Sequence, residues 1–93
     1  MPVAFHIPGP LRGFADGCGR VELAGHPKTL RDAFEALWAR HPGIRDRVVT
    51  EQDQIRDHIN VFVGNEDVRY TGGLVTPLSA DAEISIIAAV SGG

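Results

Sequence analysis

Val3, Phe5 and Ile7 alternate with Ala4 and His6, and an apolar side chain at every second position is what a strand with one buried face requires. Val21 and Leu23 alternate in the same way with Arg20 and Glu22, ahead of a turn at residues 25–27. These two strands are expected to pair as a hairpin. Between them, Pro8, Gly9, Pro10, Gly13, Gly17 and Gly19 interrupt any regular period, so residues 8–19 read as a loop with Leu11 and Phe14 as anchors.

The period then changes. Leu30, Ala33, Phe34, Leu37 and Trp38 fall at i, i+3, i+4, i+7 and i+8, one stripe of a helix, with Arg31, Asp32, Glu35 and Arg40 outside it. Thr29 stands where a side chain caps the free amides, and Asp32 follows at capping-box spacing. Pro42 disfavours helical geometry at His41, and Gly43 ends the element, giving about three turns. Trp38 belongs to the stripe and reads as core.

Residues 44–58 are mostly polar, with Ile44, Val48, Val49 and Ile55 as scattered anchors, and read as a loop that includes a short helical turn. Ile59, Val61 and Val63 restore the two-residue alternation. Gly64-Asn65 is a hairpin turn into a further strand at Val68 and Tyr70. After Gly72, Gly73 and Pro77, and a turn at residues 79–82, the β-branched run at residues 83–90 reads as the last strand. One amphipathic helix and four to five half-buried strands hide their apolar faces by packing together, an α+β fold with one main helix on a mixed sheet.

Length and composition narrow the function. At 93 residues, 43% hydrophobic and 23% charged, the chain accommodates one domain. Nine Lys and Arg against twelve Asp and Glu give a net charge of -3, which disfavours a nucleic-acid partner. The apolar run at residues 84–90 is far short of the roughly 20 residues needed to cross a membrane, and the first ten residues lack the basic start of a signal peptide. A cytoplasmic protein with no membrane partner is expected. The one cysteine, Cys18, excludes an internal disulfide. Its place between loop and strand suits a small, semi-buried and inert side chain. The histidines at positions 6, 26, 41 and 58 match no metal-ligand spacing, so no metal site is expected.

Neither a nucleophile elbow nor a phosphate-binding loop is present, and no catalytic residue is assigned. What remains is Val90-Ser91-Gly92-Gly93, an end with no bulky, charged or ring-bearing residue after Val90. Extended, residues 91–93 reach roughly 10 Å. Glycine has no Cβ to obstruct close approach, so a terminal carboxylate on Gly93 can enter another protein's active site. Taken alone, a final Gly-Gly is equally compatible with a frayed terminus.

The surrounding motifs give that end more meaning. Ile7-Pro8, Leu11-Arg12 and the capped helix running to His41-Pro42-Gly43-Ile44 are followed by Ile59-Asn60-Val61-Phe62-Val63, Glu66-Asp67-Val68-Arg69-Tyr70, Gly72-Gly73-Leu74, Thr76-Pro77-Leu78, Ile84-Ser85-Ile86-Ile87 and Ala89-Val90-Ser91-Gly92-Gly93. In this combination the chain resembles the MoaD/ThiS family of ubiquitin-like sulfur carriers. The second half is especially similar to members serving cysteine biosynthesis. Departures fall at turns: Gly64-Asn65 stands where Asn-Gly or Asn-Asp is usual, residues 80–83 lack the usual Gly-Asp, and Ala88 replaces a frequent proline.

The resemblance implies a ubiquitin-like β-grasp domain over residues 1–90, with its last strand in mid-sheet beside the first, and a flexible tail at residues 91–93. It implies that Gly93 is adenylated by an E1-like enzyme and converted to a thiocarboxylate, with Gly92, Ser91 and Val90 recognised as the tail. The chain would be a co-substrate that binds no cofactor, ATP and Mg²⁺ belonging to the activating partner, and a second enzyme would accept the sulfur for cysteine, molybdopterin, thiamine or tRNA thiolation. Alternation puts Phe62 and Ile87 on the faces opposite the core residues of their strands. There they are either an apolar docking patch for the activating enzyme or separate surface side chains. Two other functions fit the same chain: a modifier joined through Gly93 to lysines, and a β-grasp binding module with an incidental tail.

Overall fold

The computed structural model describes residues 2–88. Strand β1 (Ala4–His6) pairs antiparallel with β2 (Arg20–Glu22), as the alternation predicts. The connection is not irregular: Gly9–Ala15 forms a 3₁₀ helix, with a proline in its first turn. Proline is compatible with the start of a helix because its missing N–H has no intrahelical partner there. Leu11 and Ala15 turn inward, whereas Phe14 stays partly exposed beneath the Arg47 guanidinium, 4.7 Å from its ring centre.

Helix α1 (Leu30–Arg40) starts where the cap predicts. The Thr29 hydroxyl accepts from the Asp32 amide at 3.3 Å; the reciprocal half of a capping box, from the Asp32 side chain, is not made among the described residues. Leu30, Ala33, Phe34 and Leu37 are buried. Trp38 is half-buried rather than enclosed, its ring stacked on Phe34 at 4.9 Å, while Phe34 stacks on Phe5 of β1 at 5.3 Å. A second correction concerns Pro42 and Gly43, which lie inside a second helix, α2 (Pro42–Val48), and not beyond the end of the first. The same proline that keeps His41 non-helical supplies a preset φ for the next first turn. Ile44 and Val48 of α2 are buried in the same core.

Strand β3 (Ile59–Val63) turns at Gly64-Asn65 into β4 (Glu66–Asp67). Gly64 has φ +61° and Asn65 does not share that sign, the pattern of a turn with glycine in its first central position. The expected strand at Val68 and Tyr70 is absent. Asp67 instead accepts from the Arg69 amide at 2.9 Å and opens a 3₁₀ turn, Val68–Tyr70, which buries Val68 and leaves Tyr70 exposed. After another 3₁₀ turn (Gly73–Val75), β5 (Glu83–Ala88) completes a five-stranded sheet of order β2-β1-β5-β3-β4.

The register unites the inner face. Phe5 lies opposite Val21 and Ile84, and Ile84 lies opposite Val63, so one row of apolar side chains crosses four strands beneath α1. A main helix, α1, clasped by a mixed sheet whose last strand is central is the ubiquitin-like β-grasp, here with α2 as a short addition to the core.

Candidate functional site

β5 carries the chain toward its end. It runs parallel to β1 from Glu83 to Ser85 and antiparallel to β3 from Ile84 to Ala88. The strand is therefore held on both sides at its start and by β3 alone at its last residues. Val90, Ser91, Gly92 and Gly93 lie outside the described residues.

The outer face of the sheet, away from α1, has two regions. On the β1/β2 side, Glu83 Oε1 accepts from Arg20 Nη1 at 2.7 Å and lies 2.8 Å from His6 Nε2, and Arg20 also reaches Glu22 at 3.3 Å. The Arg20 guanidinium, then the His6 ring, hold the Glu83 carboxyl below the usual carboxylate range, against a smaller opposing effect of desolvation. Hydrogen bonding to Glu83, and then to Glu22, raises Arg20.

On the β3 side the face is mixed: Phe62 and Ile87 are its apolar members, beside Asn60, Ser85 and Asp67, which lies opposite Phe62. Asn60 is opposite Ile87 and Phe62 is opposite Ser85, so these four side chains share one face. Phe62 and Ile87 are diagonal neighbours, a relation that spans about 7–8 Å in a pleated pair. Phe62 is half-buried and Ile87 is 46% exposed. The structure thus brings both sequence-predicted residues to one exposed face.

Arg69, a residue to which the sequence pattern assigns no role, borders this patch. Its Nη1 donates to Asn60 Oδ1 at 2.9 Å and its Nη2 to the carbonyls of Ile59 at 3.1 Å and Asp57 at 3.4 Å. No periodicity could have located it, because its position depends on the 3₁₀ turn that replaces the expected strand.

Cys18 is exposed, not semi-buried as its sequence position suggests, and lines a shallow depression with Asp16, Arg20, Arg40 and His41. Within it His41 Nδ1 lies 3.7 Å from an Asp16 carboxylate oxygen. Among the described residues no three potential metal ligands converge, and no helix is long and apolar enough to cross a membrane. A cleft between α1 and α2 is lined by Arg31, Phe34, Trp38, Arg45 and Asp53. Its two arginines share one carboxylate, Asp53 taking Arg45 at 2.6 Å and Arg31 at 3.9 Å.

A central terminal strand, an apolar patch beside it and a small single-domain frame define a ubiquitin-like protein of the β-grasp class. Within that class, the model of the ThiS family matches residues 5–93, and the chain belongs to this family. It is 34% identical over 95 residues, covering all of both chains, to the sulfur carrier protein CysO of Mycobacterium tuberculosis. It is also 34% identical over 74 residues to small archaeal modifier protein 1 of Haloferax volcanii, covering 80% of this chain and 79% of that one. The solved Amycolatopsis orientalis BexX/CysO complex contains a chain that superposes with a TM-score of 0.88 at 36% identity, covering 98% of this chain and 99% of that chain. The chain thus stands in a family of sulfur carriers and ubiquitin-like modifiers.

Proposed function

We propose that this protein is a sulfur carrier: an E1-like enzyme adenylates the Gly93 carboxylate, and the acyl adenylate is converted to a thiocarboxylate. A free α-carboxylate is ionised at neutral pH and lacks a leaving group. Its attack on the α-phosphorus of ATP, with loss of pyrophosphate, supplies one, and sulfide then displaces AMP. Where the sulfur donor is a persulfide, a thiol must also cleave the resulting sulfur–sulfur bond. ATP and Mg²⁺ reside on the activating enzyme, and this chain is its co-substrate, a domain at residues 1–90 with a three-residue tail.

The observation that carries this reading is the end-to-end likeness to CysO. It also favours cysteine synthesis as the destination over molybdopterin, thiamine or tRNA thiolation. Phe62 and Ile87 form the docking patch for the activating enzyme, a role supported by their shared, exposed face next to the tail-bearing strand, and Val90, Ser91 and Gly92 are threaded to its nucleotide site.

The test is incubation with the cognate activating enzyme, ATP and sulfide, followed by intact-mass measurement. A carrier gains the mass difference of sulfur replacing oxygen, and deletion of Gly93 abolishes the gain. Likeness to the archaeal modifier supports a second reading, conjugation of Gly93 to lysines of other proteins. Large covalent adducts recovered from cells, without the thiocarboxylate, would establish that reading instead.

A further inference from the structure

Beside the Phe62–Ile87 patch the outer face carries a cation, Arg69, that is held in place and pairs with no carboxylate among the described residues. An arginine guanidinium has five N–H donors. Arg69 directs three of them to the neutral acceptors Asn60 Oδ1, Ile59 O and Asp57 O. One N–H of Nη1 and that of Nε have no acceptor among the described residues. The nearby Asp67 carboxylate bonds the Arg69 main-chain amide at 2.9 Å and makes no ion pair with the guanidinium.

Location separates Arg69 from the other cations. Arg20 is neutralised by Glu83 and Glu22 on the opposite side of the face, and Arg31 and Arg45 share Asp53 on the helix side. Arg12, Arg40 and Arg56 each hold a backbone carbonyl away from the patch. Because β3 is antiparallel to β5, Ile59 is level with Ala88. The Arg69 guanidinium, bonded to Ile59 O, therefore sits at the end of the sheet where β5 reaches Ala88. Asn60, its side-chain partner, lies directly opposite Ile87.

We propose that Arg69 is a specificity-determining contact for the activating enzyme, presenting its two open N–H donors to a carboxylate on that enzyme beside the surface that covers Ile87. The proposal rests on the carrier reading. A guanidinium already immobilised by neutral acceptors loses little freedom on docking, and its contact with a carboxylate is charge-assisted. The apolar patch supplies area, and Arg69 supplies register and discrimination against partners with basic rims.

Activation kinetics test this. The KM for the carrier is measured by formation of the AMP-linked product, using the full chain and its cognate enzyme. Arg69→Gln is expected to raise KM about tenfold with kcat at saturation retained, and Arg69→Glu to raise it further. Wild-type KM should climb with ionic strength, and the climb should flatten in Arg69→Gln. Arg69→Lys keeps the charge but not the fork, and should retain the salt dependence.

A KM for Arg69→Gln within about twofold of wild type overturns the proposal, as does a wild-type KM indifferent to salt. If Lys and Gln variants lose affinity equally, with equal flattening, the residue acts only by holding its turn and the proposal fails. Absence of any AMP-linked product from the wild type refutes the carrier reading itself, an outcome distinct from normal activation of every Arg69 variant.

Discussion

Replacing Ile87 by alanine separates a docking surface from a surface accident. The side chain is 46% exposed on the outer face of β5, so about half of its apolar area remains for a partner to cover. Full burial of a side chain of this kind contributes about 1.5–3 kcal/mol, and the 46% of it that is exposed corresponds to about 0.7–1.4 kcal/mol. Since 1.4 kcal/mol is tenfold in an equilibrium constant, Ile87→Ala should raise the KM for activation roughly three- to tenfold. The fold should lose little, because nearly half of the removed surface already faces water and the truncation at an open face leaves no closed cavity. A loss below about 1 kcal/mol is expected in denaturant titration. Val75, 68% exposed on the 3₁₀ turn that packs against α1, provides the control. Val75→Ala removes a comparable apolar area from a turn that is not part of the Phe62–Ile87 sheet face and should leave KM unchanged. Steady-state formation of the AMP-linked product at varied carrier concentration reads both. Should Ile87→Ala and Phe62→Ala be activated with the wild-type KM, the outer face does not dock the activating enzyme.

Two further outcomes test the frame on which that surface depends. Phe34 stacks between Phe5 and Trp38 and is 2% exposed; Phe34→Ala should cost about 3–5 kcal/mol, out of roughly 5–14 kcal/mol for a domain of this size. Urea unfolding would contradict the described core if it found less than about 1 kcal/mol. Glu83→Gln probes the ionic group. The folded-state value of Glu83 is lowered, so its stabilising contribution is present above the ordinary glutamate value, about 4.3, and disappears as pH falls through the lowered value. The melting temperature of wild type should exceed that of Glu83→Gln at pH 7, and the gap should close in acid. With both Glu83 and Arg20 about two-fifths exposed, the gap should also shrink in salt. A gap that persists unchanged once acid has protonated the carboxylate would mean that the glutamate acts by packing, not by charge.

Periodicity by itself determined most of the layers. Two-residue alternation located β1, β2 and β3 because each hides one face, a β-branched run located β5, and the stripe from Leu30 to Trp38 located α1 because a helix must cover them. It misread the short elements. Gly9–Ala15 and Pro42–Val48 each carry a proline in the first turn, a residue that breaks an ongoing helix but suits a new one, and seven residues are too few for a reliable period. At Val68 and Tyr70 the alternation was local coincidence: the Asp67 cap on the Arg69 amide turned the chain into a 3₁₀ helix.

Sheet order lies outside local sequence pattern altogether. Nothing in the alternation of β5 dictates that it should enter between β1 and β3, residues about eighty and twenty-five positions away along the chain; the family resemblance supplied that expectation. The same holds for the neighbourhood of Ile87. Its outward face was legible from the two-residue period, but the approach of Asn60, Phe62 and the Arg69 guanidinium required strands and a turn to meet. Local chemistry determines which face each element hides, whereas long-range pairing decides which exposed side chains become neighbours.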